Sequence, residues 1–156
     1  MLKIDIQKAF DSVHWGFIAD LLKALRIPQI FIPWIMVCVT SVSFKLHINR
    51  RNTGEFPGSR GLKQGDPLSP ILFVVSMDYL SRLMQKHSLD KDFKFHPYCK
   101  PLRLTHLMFA DDLLIFSKAD PPTIRHIMSA LSNFHKCAGL KADWAKSQMV
   151  VGGCSA

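Results

Sequence analysis

Two acids stand side by side in one of the most apolar stretches of the chain, where Leu107-Met108-Phe109-Ala110 meets Asp111-Asp112 and continues into Leu113-Leu114-Ile115-Phe116. Charge removed from water is costly, so these carboxylates must be solvated, hydrogen-bonded or bound to a metal. A hairpin meets that demand, with short apolar strands over Leu104–Phe109 and Leu113–Ser117 joined through Ala110-Asp111-Asp112. A tight turn explains an Asp-Asp pair without any metal, and this segment alone leaves both readings open.

The same conflict recurs near the start. Leu2 to Ile6 alternates as a strand, with Leu2, Ile4 and Ile6 on one face and Lys3 and Asp5 on the other. A solvent-facing strand edge accounts for Asp5 as readily as a site does. Acids on separate strands can also converge into an oxygen-rich site, the kind that Mg²⁺ prefers while keeping waters for substrate phosphates. In nucleotidyl transfer two such ions, about 3.5–4 Å apart, stabilise the attacking and leaving oxygens.

The rest of the chain predicts a frame for these strands. Asp11-Ser12 offers N-caps to a helix whose apolar face is Ile18, Leu21, Leu22 and Leu25, ended by Pro28. A second, buried helix is expected over Gln29–Val39. Phe44–Asn49 alternates as a strand, and Asn52-Thr53-Gly54 predicts the turn after it. Beyond a glycine- and charge-rich loop at Gly58–Pro67, Ser69 as N-cap and Pro70 at the first helical position open a helix to Lys86. Its first half is apolar all round (Ile71 to Val75), which predicts deep burial. Ser88–Pro101 is basic and loop-like. Asp120 caps a helix beginning Pro121-Pro122, with Ile124, Ile127, Met128, Leu131 and Phe134 as its stripe and Gly139 as its stop. A last strand over Gln148–Val151 closes the sheet. This order is that of an α+β domain with helices packed on an antiparallel sheet.

Composition sets the outer bounds. The 156 residues, 48% hydrophobic and 21% charged, suit one globular domain and exclude a disordered chain. A formal net charge of +8 favours a polyanionic partner such as nucleic acid. Cys38, Cys99, Cys137 and Cys154 form no C-x-x-C pair, so a zinc site has no support and reduced, mostly buried thiols are expected. The start lacks a signal peptide, and the most apolar segment, Ile27–Val39, is short and interrupted by Pro28, Gln29 and Pro33. A soluble, intracellular protein without a membrane partner is the expectation.

One more segment bears on chemistry: Gly61-Leu62-Lys63-Gln64-Gly65-Asp66-Pro67-Leu68-Ser69-Pro70. Gly61 and Gly65 permit positive φ or close backbone approach. Arg60 and Lys63 supply charge for phosphates, and Gln64 can hydrogen-bond a sugar or base edge. The P-loop spacing is absent.

Together these segments resemble the reverse transcriptases of non-LTR (LINE-type) retrotransposons, particularly the form abundant in plant genomes. Lys3-Ile4-Asp5-Ile6-Gln7-Lys8-Ala9-Phe10-Asp11 resembles the first palm motif, Gly61–Pro70 the second and Phe109-Ala110-Asp111-Asp112 the third. Gly139-Leu140-Lys141-Ala142-Asp143-Trp144-Ala145-Lys146-Ser147 is similar to a fourth, with Asp143 where the family usually has asparagine. Group II intron and retron enzymes are weaker matches.

The resemblance implies a polymerase palm over residues 1–156, a single partial domain that lacks the N-terminal part of the fingers and the thumb. It implies RNA-directed DNA synthesis, adding dNTPs to a primer 3′-OH, with an RNA template and a DNA primer as partners. Asp5 and Asp111 are the implied principal ligands of two Mg²⁺ ions, for which Mn²⁺ can substitute, with Asp112 the weaker contributor. Phe10 matches the aromatic gate against a 2′-hydroxyl, where a core phenylalanine is the plainer reading. Gln64 and Gly65 match the loop at nucleotide and template, and Lys146 matches a lysine near the pyrophosphate leaving group. No segment resembles an endonuclease, an RNase H or a zinc knuckle. A palm without its fingers grips substrate poorly, so weak or absent activity is expected of this chain alone. A non-catalytic nucleic-acid-binding remnant is the alternative. A two-metal nuclease is a third reading, which gives Phe10 and Gln64 no purpose.

Overall fold

The computed structural model describes residues 1–48 and 50–152, with Asn52 and Thr53 described by backbone alone. In chain order the elements are β1 (Leu2–Gln7), α1 (Ala9–Ser12), α2 (Trp15–Ala24), α3 (Phe31–Thr40), β2 (Ser43–Ile48) and β3 (Arg51–Pro57). Then follow α4 (Leu68–Ser88), β4 (His106–Phe109), β5 (Asp112–Ile115), α5 (Pro121–Ala138) and β6 (Lys141–Met149). Met1–Ala9 with Met77–Ala156 form one compact unit, and Phe10–Ser76 form a second.

In the first unit the sheet order is β4-β5-β1-β6, and every neighbouring pair is antiparallel. β1 is therefore an interior strand, and its two-residue period decides what each face carries. Ile4 and Ile6 are buried, as are Leu113 and Ile115 of β5. The helices supply Met77, Leu80 and Met84 from α4 and Ile127, Leu131 and Phe134 from α5 to the same unit's core. Burying each such side chain contributes about 1.5–3 kcal/mol, so this one-sided core is what holds the sheet flat against its helices. Pro121 fits the first turn of α5, and Gly139 ends it at φ +80°, donating its N–H to the His135 carbonyl at 2.9 Å. The expected α+β class, antiparallel sheet and helix-covered face are all present.

The second unit holds α2, α3, the β2–β3 hairpin and the first part of α4. Its centre is a set of bonds between the chain after β1 and the glycine-rich loop. The Gly61 N–H donates to the Val13 carbonyl at 2.8 Å, and the Leu62 N–H donates to the Phe10 carbonyl at 2.7 Å. Trp15 Nε1 donates to the Gly61 carbonyl at 2.7 Å. Gly61 is buried at φ +93°, and a Cβ placed there would stand 2.8 Å from the Asp11 carbonyl oxygen. Only glycine meets both conditions. Gly65, at φ +89°, faces open space.

Several expectations are corrected. The first half of α4 is not buried all round: Leu72 and Phe73 are, but Ile71 is 61% and Val74 66% exposed. Helix α3 likewise exposes Phe31, Trp34 and Val37 while burying Ile32 and Val39. Uniform hydrophobicity carries no information about which face finds a partner. Cys38 and Cys137 are exposed free thiols and Cys99 is half-buried, so the thiols are not mostly buried; Cys154 lies outside the described residues.

Asn52–Gly54 lies within β3 rather than in a turn, and Asn49, the expected last residue of β2, lies outside the described residues. The Asp11-Ser12 pair sits in α1, and His14 occupies the N-cap of α2. Leu68 begins α4 one residue before Ser69, its N–H bonded to Asp66 Oδ1 at 2.8 Å. The last strand is longer than expected, because β6 starts at Lys141 and pairs with both ends of β1, across a register shift between Lys3 and Asp5.

Gly61→Ala should lower folding stability by about 2 kcal/mol or more, since positive φ and the Asp11 carbonyl both oppose a Cβ. Gly65→Ala should cost about 1 kcal/mol, from φ alone. Urea denaturation midpoints of the two variants measure the difference.

Candidate active site

The carboxylates are brought together by register. Asp5 of β1 pairs with Asp112 of β5 on one side and with Asp143 of β6 on the other. Directly opposed residues in an antiparallel sheet share a face. Asp143, Asp5 and Asp112 therefore form one cross-strand row, on the face turned away from Ile4 and Ile6. Like charges in this position repel, and two lysines offset them. Lys3 Nζ lies 3.1 Å from Asp112 Oδ1, and Lys146 Nζ lies 3.9 Å from Asp5 Oδ2. These side chains keep substantial exposure, so each pair contributes little to stability and is open to competition from other cations.

Asp111 occupies a different position. Phe109 pairs with Asp112, which leaves Ala110-Asp111 as a two-residue hairpin loop with Ala110 at φ +53°. Positive φ at the first loop position suits such hairpins, although glycine fills it more cheaply than alanine. Asp111 is exposed at the tip, and Asp112 already belongs to β5. The strand register thus sets Asp112, not Asp111, opposite Asp5.

The base of this hairpin is fixed by a polar pair. His106 opens β4 with Nδ1 2.7 Å from the Thr105 hydroxyl and Nε2 2.9 Å from the Ser81 hydroxyl. Burial holds the His106 imidazole below its ordinary pKa, because the charged form loses water without gaining an acid.

Carboxylate oxygens are the donors a hard divalent ion prefers, so Asp5, Asp111 and Asp112 fit in kind. Among the described residues, however, no group of three or more His, Cys, Asp or Glu side chains is placed to hold a metal ion. The remaining expected site residues belong to the second unit. Phe10 is half-buried and stacks on Phe73 with ring centroids 4.6 Å apart, the packing of a core phenylalanine. Lys63, Gln64 and Gly65 are exposed on the loop anchored by Gly61. Two neighbours were not foreseen as members of the carboxylate row. Lys3 was detectable from the strand period it shares with Asp5, whereas Asp143 enters through the β1–β6 register.

The reverse transcriptase (RNA-dependent DNA polymerase) family matches residues 1–154. The chain belongs to the reverse transcriptase family. The family member is 29% identical over 96% of its length to a Pol polyprotein of retrotransposable element R2 from Popillia japonica. It is 34% identical over 90% of its length to the R2DM Pol polyprotein of Drosophila melanogaster. It spans 25% of the first of those relatives and 12% of the second. A telomerase structure from Candida albicans, in complex with a fragment of telomeric RNA, superposes with a TM-score of 0.72 over 99% of this reverse transcriptase chain. At 14% identity and 27% of the telomerase chain covered, that likeness is one of fold. Among the described residues, no helix is long and apolar enough to cross a membrane.

In the unfolded reverse transcriptase chain His106 titrates near 6.5, above its folded value, so acid protonates the unfolded state first. The stability this residue contributes is therefore full above that pH and is lost as pH falls toward the folded pKa. His87, also lowered by burial and then by His126, acts in the same direction. His106→Gln should flatten the fall in melting temperature between about pH 7 and pH 5, measured by circular dichroism in matched buffers.

Proposed function

We propose that residues 1–156 form one partial palm domain of an RNA-directed DNA polymerase, which adds dNTPs to a primer 3′-OH on an RNA template. The single observation that carries this reading is the register that sets Asp5 opposite Asp112, with Lys146 beside Asp5 and Asp111 at the adjoining turn. A half-exposed carboxylate row beside a lysine suits a polyphosphate substrate delivered with divalent cations.

In this reading Asp5 and Asp111 are the principal ligands of two Mg²⁺ ions, with Mn²⁺ able to substitute, and Asp112 assists. Bound there, the ions would neutralise phosphate charge and raise the nucleophilicity of the primer hydroxyl. The protein's own contribution is positioning. The β1–β5 register sets Asp112 opposite Asp5, so the hairpin's carboxylates keep a fixed spacing from β1. Lys146 moves from Asp5 to the departing pyrophosphate, where a cation stabilises developing charge. Phe10 limits space at the sugar, and its stacking on Phe73 gives the rigidity a steric gate needs. Lys63, Gln64 and Gly65 meet nucleotide and template from the anchored loop. Exposed apolar side chains on α3 and α4 support a further partner, additional polymerase segments of a longer polyprotein that would supply the missing grip.

One observation favours a second reading. Asp5 and Asp112 are ion-paired with lysines, as suits a non-catalytic remnant that binds nucleic acid.

A primed RNA template with dNTPs and Mg²⁺ separates the readings. Weak extension is expected at high protein concentration, and Asp111→Asn or Asp5→Asn should reduce it by about a hundredfold or more. Salt-sensitive binding without incorporation would establish the remnant instead, and template cleavage would indicate a nuclease.

A further inference from the structure

The segment between α4 and β4 is a built surface for which the polymerase reading has no use. Residues 96–104 carry four backbone hydrogen bonds of their own. The Cys99 and Lys100 N–H groups both donate to the His96 carbonyl, at 2.9 and 3.0 Å. The Arg103 N–H donates to the Lys100 carbonyl at 3.0 Å, and the Leu104 N–H to the Cys99 carbonyl at 3.1 Å. Arg103 sits at φ +49°, a conformation uncommon for a residue other than glycine.

This compact turn places its largest side chains in water. Tyr98 is 89% exposed and Leu102 79%. The His96 and Tyr98 rings lie 5.7 Å apart. Lys100 and Arg103 flank them, and no carboxylate pairs with either among the described residues. From residue 93 to residue 110 the chain contains two lysines, an arginine and two histidines but no acid. Lys94 is the one of these cations that has an acidic partner, Asp120 at 3.4 Å.

The turn is also separate from the carboxylate row. It enters β4 at His106, whereas the Asp111 turn leaves β4 after Phe109, so the length of the strand divides them. That length is about 13 Å for four residues. β4 is an edge strand of the sheet, which leaves this corner open on its outer side.

An exposed aromatic ring framed by unpaired cations on a rigid backbone is the pattern that holds single-stranded nucleic acid. The ring stacks on a base while the cations track phosphates. We propose that the 96–104 turn is a docking site for single-stranded RNA, with Tyr98 stacking on a base and Lys100 and Arg103 on the backbone. The site is independent of nucleotide addition and goes beyond the polymerase reading. Charge complementarity favours RNA over a protein partner, because the apolar area is two side chains wide and cations border it. It favours RNA over a membrane because the aromatic stands on a tight turn, with no amphipathic helix to lie in an interface.

The test is fluorescence anisotropy of the full chain with a fluorescein-labelled, unstructured RNA of about 16 nucleotides, without dNTPs or divalent ions. Tyr98→Ala should weaken binding roughly tenfold, whereas Tyr98→Phe, which keeps the stacking face, should stay within about twofold of the native chain. Lys100→Gln with Arg103→Asn, the latter a residue that tolerates positive φ, should lower the slope of log affinity against log salt by about 1.4. This binding is measured without dNTPs or divalent ions, whereas the polymerase reading is tested by primer extension, so failure of this proposal and failure of the polymerase reading give different results. Native-like affinity and slope in both turn variants would overturn the proposal. Equal loss from Tyr98→Ala and Tyr98→Phe would overturn it too, as would binding of anionic phospholipid vesicles in place of RNA.

Discussion

The pairing of β1 with strands on both of its sides is the constraint on which the first unit depends. Once β5 and β6 flank it, the pleat forces Ile4 and Ile6 toward α4 and α5 and forces Lys3 and Asp5 the other way. The apolar face and the carboxylate row are thus two results of one register. A slip of a single residue would bury Asp5 and expose both isoleucines, so the hydrophobic energy of the core also holds the acids in line. The weak lysine–carboxylate pairs follow that alignment and do not create it.

The second unit shows a comparable economy with backbone bonds. The chain leaving β1 and the glycine-rich loop are far apart in sequence, yet Gly61 and Leu62 bond to Val13 and Phe10 through main-chain groups. Because the tie is to backbone, it leaves Lys63, Gln64 and Gly65 exposed beyond the anchor. A loop fixed at one end and open at the other can present side chains to a ligand without losing its place. Gly61 is indispensable to the tie for a steric reason, and Gly65 contributes conformational freedom alone.

The resemblance identified in the motifs agrees with the family match and with the fold likeness to telomerase. Residues that were strand-like by alternation, such as Leu2–Ile6, take their expected faces because period two leaves no other choice beside a core. Uniformly apolar helices carry no such pattern. Ile71 and Val74 have the same character as Leu72 and Phe73, and only the partner surfaces distinguish them. β6 extends beyond its local signal because Asp143, Lys146 and Ser147 lack an apolar alternation, and pairing to β1 overrides that weak local preference.

The sequence by itself determined the family, the α+β class, the helix-covered antiparallel sheet and the carboxylates that stand out against their neighbours. These are legible because periodicity, glycine and proline positions, and charge in apolar context act locally along the chain. Tertiary structure alone decided that Asp112 lies opposite Asp5 while Asp111 sits at the turn, that Asp143 completes the row, and that Lys3 and Lys146 balance it. Those outcomes depend on which residues of distant strands face one another. Register is set by the total fit of the core, a quantity no single segment contains.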